Sequence, residues 1–322
     1  MKNVEANLSS TSLKSILYRW EIILLILLVM VNIINSSISP YYLNARNLLD
    51  AATTFLDKAF IVFPMIMVLI LGEIDISVGS IVALSSVVMG VLYKSGISMV
   101  ISILVCIMLG ALCGFFNGYL LSKFNLSSII VTLSTMIIYR GIAYIILEDQ
   151  AVGDFPEWFN FFGWGYVGVI PFILICFVVT AIVFGLLLHK TTFGRYIYAI
   201  GNNITASRFS GVRVDKVKII VFTLNGLMAA ITAIFLTSRM GNTRPNIALG
   251  YELDVITMAV FGGVSTAGGK GNVIGPILAI FIVGLLQYGL GLINVPSTTM
   301  LIIIGSLLIL SVLITNLRSR KA

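Results

Sequence analysis

The sequence predicts an all-α, polytopic membrane protein of about ten transmembrane helices, with both termini in the cytoplasm. Three observations carry that prediction. Of the 322 residues, 59% are hydrophobic and only 10% are charged, against about 25% charged in a soluble domain. Apolar runs long enough to cross a bilayer as helices recur along the whole chain, and the mean hydropathy is +1.08. The alternating in/out pattern of outer-membrane strands is absent, which leaves helices as the structure that satisfies its own backbone in lipid.

The elements follow in order. Residues 1–20, MKNVEANLSSTSLKSILYRW, form a polar cytoplasmic tail, and no small-residue cleavage site follows the first apolar run, so that run is a retained span. Spans are expected near 21–37, 51–71, 74–93, 97–122 and 126–147, then near 169–189, 216–238, 252–268, 272–293 and 297–316. A single transmembrane domain therefore covers 21–316, and 317–322 is a cytoplasmic tail.

Basic residues set the orientation. Lys2, Lys14 and Arg19 precede the first span, and Arg318, Arg320 and Lys321 follow the last. The loop after the sixth span carries Lys190, Arg195, Arg208, Arg213, Lys216 and Lys218 against one acid, Asp215. Threading ten spans puts all of these on one side, the cytoplasm. The net charge of +7 is thus a topology signal rather than a sign of nucleic-acid binding. Loop 148–168 holds Glu148, Asp149, Asp154 and Glu157 with no lysine or arginine and belongs outside. Trp158 and Trp164 there, and Trp20 within, suit the interfacial belts.

Five spans per half is an odd number, so a duplicated second half would enter the membrane inverted. One trace of duplication is present: Glu73-Ile74-Asp75-Ile76 opens the third span and Glu252-Leu253-Asp254-Val255 opens the eighth.

Nothing in the chain reads as a catalytic or metal centre. The single His189 ends a span, and Cys106, Cys113 and Cys176 lie inside apolar runs as small packing residues. Gly262–Gly275, GGVSTAGGKGNVIG, lacks both the leading glycine and the Ser or Thr after the lysine that a Walker A loop needs. It reads instead as a glycine-rich turn between closely packed helices, with Lys270 on the cytoplasmic side. No cofactor is expected.

Ionisable groups at membrane depth are costly and so are candidates for function: Asp57, Lys58, Glu73, Asp75, Arg140, Glu252 and Asp254. Asp57 and Lys58 can neutralise each other as a shielded neighbouring pair. Asp75 can cap a helix starting at Ser77, across a discontinuity in the membrane, and can line a cavity as well. Arg140 is expected to snorkel to the outer headgroups. Asn117, Asn225, and Gln287 with Tyr288 are polar at depth and should face a bundle interior. With Glu73 and Asp75 they are the candidates for a path through the membrane.

The polar passage GRYIYAIGNNITASRFSG, Gly194 to Gly211, interrupts two of the most apolar segments. Asn202 and Asn203 are good N-caps, Ile204 to Ser210 can make two turns, and Gly211 suits the position just past a helix end. A short capped cytoplasmic helix flanked by Arg195 and Arg208 is expected, with Gly194 and Gly201 shaping its approach. Its reading is a docking element for a soluble partner that supplies energy; a helix lying on the membrane surface is the plainer reading.

At these residues the chain resembles the permease subunits of ABC sugar importers of the ribose/galactoside/rhamnose type. The resemblance rests on Gly72-Glu73-Ile74-Asp75-Ile76-Ser77-Val78-Gly79, on Phe193-Gly194-Arg195 with Tyr198-Ala199-Ile200-Gly201-Asn202-Asn203, on Ser210-Gly211, and on Gly262-Gly263-Val264-Ser265 with Gly268-Gly269-Lys270-Gly271. It covers nearly the whole chain. It implies a ten-span permease that pairs with a second permease subunit, identical or homologous. It also implies a cytoplasmic ATPase on loop 190–215, which binds the ATP, and an external sugar-binding protein. Glu73, Asp149-Gln150-Ala151, Thr237-Ser238-Arg239 and Thr243-Arg244-Pro245 are similar to rhamnose-type permeases, and autoinducer-2 and ribose/xylose-type permeases are the alternatives. Thr205-Ala206-Ser207 departs from the paired alanines of many members in the coupling helix. Arg239, Arg244, Asp149 and Asp154 are the expected contacts for the binding protein. From another class, an ion-coupled secondary transporter would use Glu73, Asp75, Glu252 and Asp254 as intramembrane carboxylates.

Overall fold

Hydropathy alone places most of the helices that the computed structural model contains. It describes residues 20–296 and, beyond them, 298–300, 302, 303, 305, 306, 309 and 313. The long helices of the first half are α1 (Trp20–Ile38), α2 (Ala45–Ile70), α3 (Val78–Lys94), α4 (Met99–Phe124) and α5 (Ser128–Leu147). A one-turn 3-10 helix (Glu157–Phe159), α6 (Asn160–Trp164) and a two-stranded hairpin, β1 (Tyr166–Val167) and β2 (Ile170–Pro171), build the loop that follows. Then come α7 (Phe172–Lys190), α8 (Thr192–Asn202), α9 (Ile204–Phe209), α10 (Val214–Met240), α11 (Tyr251–Phe261) and α12 (Ile274–Leu292).

Among the described residues, seven helices are long and apolar enough to cross a membrane: α1, α2, α4, α5, α7, α10 and α12. Two expected spans are shorter than the sequence suggests. The third starts only at Val78, because residues 72–77 run non-helically into the bundle. The eighth, expected over 252–268, ends at Phe261; its 11 residues rise only about 17 Å, roughly half of a hydrocarbon core of about 30 Å. Gly262, Gly263 and the turn beyond them end it. The tenth expected span, 297–316, and the tail residues Lys2, Lys14, Arg19, Arg318, Arg320 and Lys321 lie largely or wholly outside the described residues.

Helix α2 is the hub. It is buried along nearly its whole apolar length and packs against α7, α10, α11 and α12. The tightest helix pair is α4 with α10. Gly110, Gly114 and Gly118 recur every fourth residue and so share one face of α4, opposite Gly226 of α10. A methyl group at Gly114 would stand 2.2 Å from the Phe222 carbonyl oxygen, and one at Gly226 would stand 2.2 Å from that of Gly110. Lipid supplies no hydrophobic drive between helices, so such close backbone approach is what holds them. Cys106 and Cys113 lie buried on α4 as free thiols, in keeping with packing.

The two ends of the bundle are built differently. At one end the Gly269 N–H donates to the Ile70 carbonyl (2.8 Å), joining the glycine-rich turn to the end of α2, and α8 and α9 lie beside it. At the other end, loop 148–168 clasps the start of α2 and the end of α10. Tyr166 donates to Asp50, Val152 bridges to Thr243, and the Trp164 indole N–H donates to the Arg239 carbonyl (3.0 Å). Burial first, and then the Asp50 carboxylate, push the Tyr166 phenol up to about 12.

Candidate functional site

The expected polar positions are gathered into separate groups. Around Asp75 the structure brings together three of them. Asp75 Oδ1 accepts from the Ser77 N–H (2.9 Å) and hydroxyl (2.6 Å), so it closes a turn just before α3. Asn225 Nδ2 on α10 donates to Asp75 Oδ2 (2.9 Å), and Asn117 Nδ2 on α4 donates to Ser77 Oγ (2.8 Å). Tyr139 on α5 donates to Asn117 Oδ1 (3.0 Å). Asp75, Ser77, Asn117 and Asn225 are all fully buried, and no ion pair is made to Asp75 among the described residues. The network ties the non-helical entry of α3 to three neighbouring helices.

Glu73, two residues earlier, is separate. It pairs with Lys218 near the cytoplasmic start of α10, and the adjacent Ile74 N–H donates to Ser128 Oγ (3.1 Å) at the start of α5. Sequence order alone suggested that Glu73 and Asp75 act together; their side chains serve different partners.

A charged layer lies nearer the outer end. Asp57 and Lys58 do not neutralise each other through their side chains, because consecutive helical residues point apart. Asp57 accepts from Arg239 Nη2 (2.9 Å) and from the Tyr251 hydroxyl (3.3 Å). Lys58 pairs with Asp254 and donates to Gln287 Oε1 (3.2 Å). Tyr288, next to Gln287, packs against Tyr42 with the rings tilted and their centroids 5.9 Å apart. Removing four charges from water costs several kcal/mol each unless they are paired, and here each has an opposite partner.

The outer expectations separate accordingly. Arg239 is committed to Asp57, whereas Arg244, Asp149 and Asp154 are exposed. A cleft of about 520 Å³ at this end is lined by Arg239, Arg244, Asn246 and Tyr251, among others. Arg140 does not snorkel outward: its Nη1 donates to the carbonyls of Pro245 and Ile247, at 2.7 Å each. The non-helical segment before α11 supplies its acceptors.

The surface expected to be cytoplasmic carries a short capped helix, with two changes from the sequence reading. Helix α9 has Asn203 as its N-cap, with Oδ1 accepting from the Ala206 N–H (2.9 Å), and Gly211 beyond its end has φ +84°. Asn202 is not a cap; it ends α8, where its Nδ2 donates to the Tyr198 carbonyl (2.8 Å). Gly201 has no positive φ. It is required because an added methyl would lie 1.8 Å from the Ile70 carbonyl oxygen. Gly194 is likewise pressed onto the Leu188 carbonyl (1.9 Å). Arg195 is exposed, and Arg208 pairs with Asp215 (2.9 Å).

Sequence reasoning paired Asp75 with Ser77 through the cap but missed Tyr139 and Lys218 as partners. It also missed the Gly110–Gly114–Gly118 spacing, which was plain in the chain and needed only to be counted.

Comparison with known proteins bears on what this arrangement does. Residues 47–312 match the family described as "Branched-chain amino acid transport system / permease component". The ribose import permease protein RbsC of Bacillus subtilis is 36% identical over 298 residues, 92% of this chain and 91% of that protein. The autoinducer 2 import system permease protein LsrD of Escherichia coli is 33% identical over 301 residues, again 92% and 91%. No solved structure matches. The chain belongs to this permease family and is a multi-pass membrane protein.

Proposed function

We propose that this member of the permease family forms one half of the translocation pore of an ATP-driven ABC importer for a small sugar. The observation that carries the reading is α9: a capped, exposed helix held at the cytoplasmic end by Gly201 against α2 and by the glycine-rich turn. A short element rooted in the hub helix, with Phe209 and Arg208 exposed on it, can pass a push from a soluble ATPase into the bundle. A merely surface-lying helix has no need of that root. ATP binding and hydrolysis then belong to the partner subunit, and this chain is not itself an enzyme. A second permease subunit completes the pore, and an external binding protein docks at the outer end, on Arg244, Asp149 and Asp154. No nucleic acid is involved.

The names of the two relatives support a substrate of the ribose or autoinducer-2 class. They lend no support to rhamnose, which rests on the local similarities at Glu73, at Asp149-Gln150-Ala151 and around Arg239 and Arg244 alone. For the path we propose Asp75, Asn117 and Asn225 as an inner lining that opens during turnover, with Glu73 at the cytoplasmic mouth and Gln287 and Tyr288 toward the outer end. The test is uptake of labelled ribose by proteoliposomes holding the assembled importer. Uptake that requires ATP and the binding protein is expected. Uptake that proceeds without ATP and follows a proton gradient would overturn the reading in favour of a secondary transporter.

A further inference from the structure

Helices α3 and α11 both begin inside the bundle, and they begin at the same place. A methyl group on Gly79, in the first turn of α3, would stand 2.3 Å from Glu252 Oε2 and 2.7 Å from the Ala248 carbonyl, at the start of α11. From there the helices diverge. The end of α3 lies with the outer loop, where Tyr93 packs near Phe155 (5.7 Å), and the end of α11 lies with the cytoplasmic turn, where Gly262 abuts Pro276. Two sets of first-turn N–H groups, each the positive end of a helix dipole, thus converge at depth. Glu252 is set against them, with Asp75 holding the turn before α3.

A cleft of about 360 Å³ opens beside this point, with Ser80, Arg140, Tyr144 and Glu252 set among apolar residues such as Ile137 and Leu249 in its wall. Ser80 is 1% exposed, and its hydroxyl has no hydrogen-bond partner among the described residues. A buried hydroxyl without a partner is costly, so Ser80 gains from any hydrogen-bonding group that reaches it. Arg140 is fixed by the Pro245 and Ile247 carbonyls through Nη1 alone, and among the described residues its other N–H groups make no hydrogen bond.

We propose that this cleft is a contact point for a small neutral polyol on its way through the membrane. The inference rests on the reading of the chain as a sugar permease. One carboxylate and one guanidinium leave the cleft without net charge, which favours neither anions nor cations. Sugar hydroxyls donate and accept at once: they donate to Glu252, accept from Arg140, and complete Ser80. The Tyr144 ring offers a face for C–H groups, and the volume falls in the range of about 300–1,000 Å³ usual for small-molecule sites.

The experiment measures labelled ribose uptake and binding-protein-stimulated ATP hydrolysis by the assembled importer carrying Ser80→Ala or Glu252→Gln. A fall in uptake of tenfold or more, with stimulated hydrolysis retained, is expected. Ser80→Cys, close to serine in size, adds an independent measure: a water-soluble thiol reagent should label it above the wild-type background, and ribose should slow the labelling at least threefold. Uptake at the wild-type rate in both variants, or labelling indifferent to ribose, overturns the inference and leaves the permease reading standing. A wild-type importer that moves no ribose, with or without ATP, removes the sugar reading and this inference together.

Discussion

Arg239 at the end of α10 holds Asp57 of the hub helix through a 2.9 Å bond from Nη2 to Oδ2. The Asp57 side chain is wholly buried and that of Arg239 is 20% exposed, so the pair ties α2 to α10 within the bundle. The residue next to Asp57 makes the complementary link, Lys58 to Asp254, and one helix thereby grips α10 and α11 with opposite charges.

Removing one member of the pair leaves an uncompensated buried charge. Arg239→Ala should therefore cost about 3–5 kcal/mol, and Asp57→Asn a comparable amount. The double variant Asp57→Asn/Arg239→Gln should recover part of the loss. Thermal unfolding of the purified protein in detergent gives the cycle, and additive losses in the double variant would refute the coupling.

At the cytoplasmic end, Gly201→Val should abolish stimulated ATP hydrolysis and transport while the chain still inserts, since its Cβ meets the Ile70 carbonyl oxygen. Asn203→Ala removes only a cap worth about 1 kcal/mol and should reduce coupling partially. Parallel assays of membrane content and ATPase stimulation separate misfolding from uncoupling. Normal uptake in Gly201→Val would show that α9 is not the transmitting element.

The α4–α10 contact should tolerate no side chain. Gly114→Leu drives its side chain into the Phe222 carbonyl, and the expected result is little folded protein in the membrane. Gly141 on α5, whose added Cβ would meet nothing within 4 Å, is the control, and Gly141→Ala should be silent. Size-exclusion profiles of the two variants decide it.

On the outer face, charge reversal at Arg244 should weaken binding-protein docking, and the effect should fade with salt because exposed pairs are screened over about 10 Å at 0.1 M. Asp149 and Asp154 should show the same salt signature. Docking that is unchanged at low ionic strength in all three variants would place the contact elsewhere.

For the inner lining, cysteines replacing Asn117 and Asn225 should react with a water-soluble thiol reagent only during turnover, since both side chains are enclosed in the resting structure. Protection in every state of the cycle would make the Asp75 network a brace between helices and nothing more.

What the sequence determined by itself were the features that depend on near neighbours. Helices α1, α2, α4, α5, α7, α10 and α12 follow from runs of apolar residues, because a backbone in lipid must satisfy itself within the segment. The facing of loops 148–168 and 190–215 to opposite ends follows from their charges, and α9 follows from Asn203 and Gly211, whose capping chemistry is local. Only the tertiary structure decided the partners of the buried charges. Asp57 finds Arg239 182 residues away and Lys58 finds Asp254 196 away, whereas the chain places Asp57 and Lys58 side by side. Hydropathy records that a charge at depth needs a partner but not which helix brings it. The same reason hid the meeting of α3 and α11 at Gly79 and Glu252: a helix can begin inside a membrane only where other elements complete its first turn, and those elements lie far off in the chain.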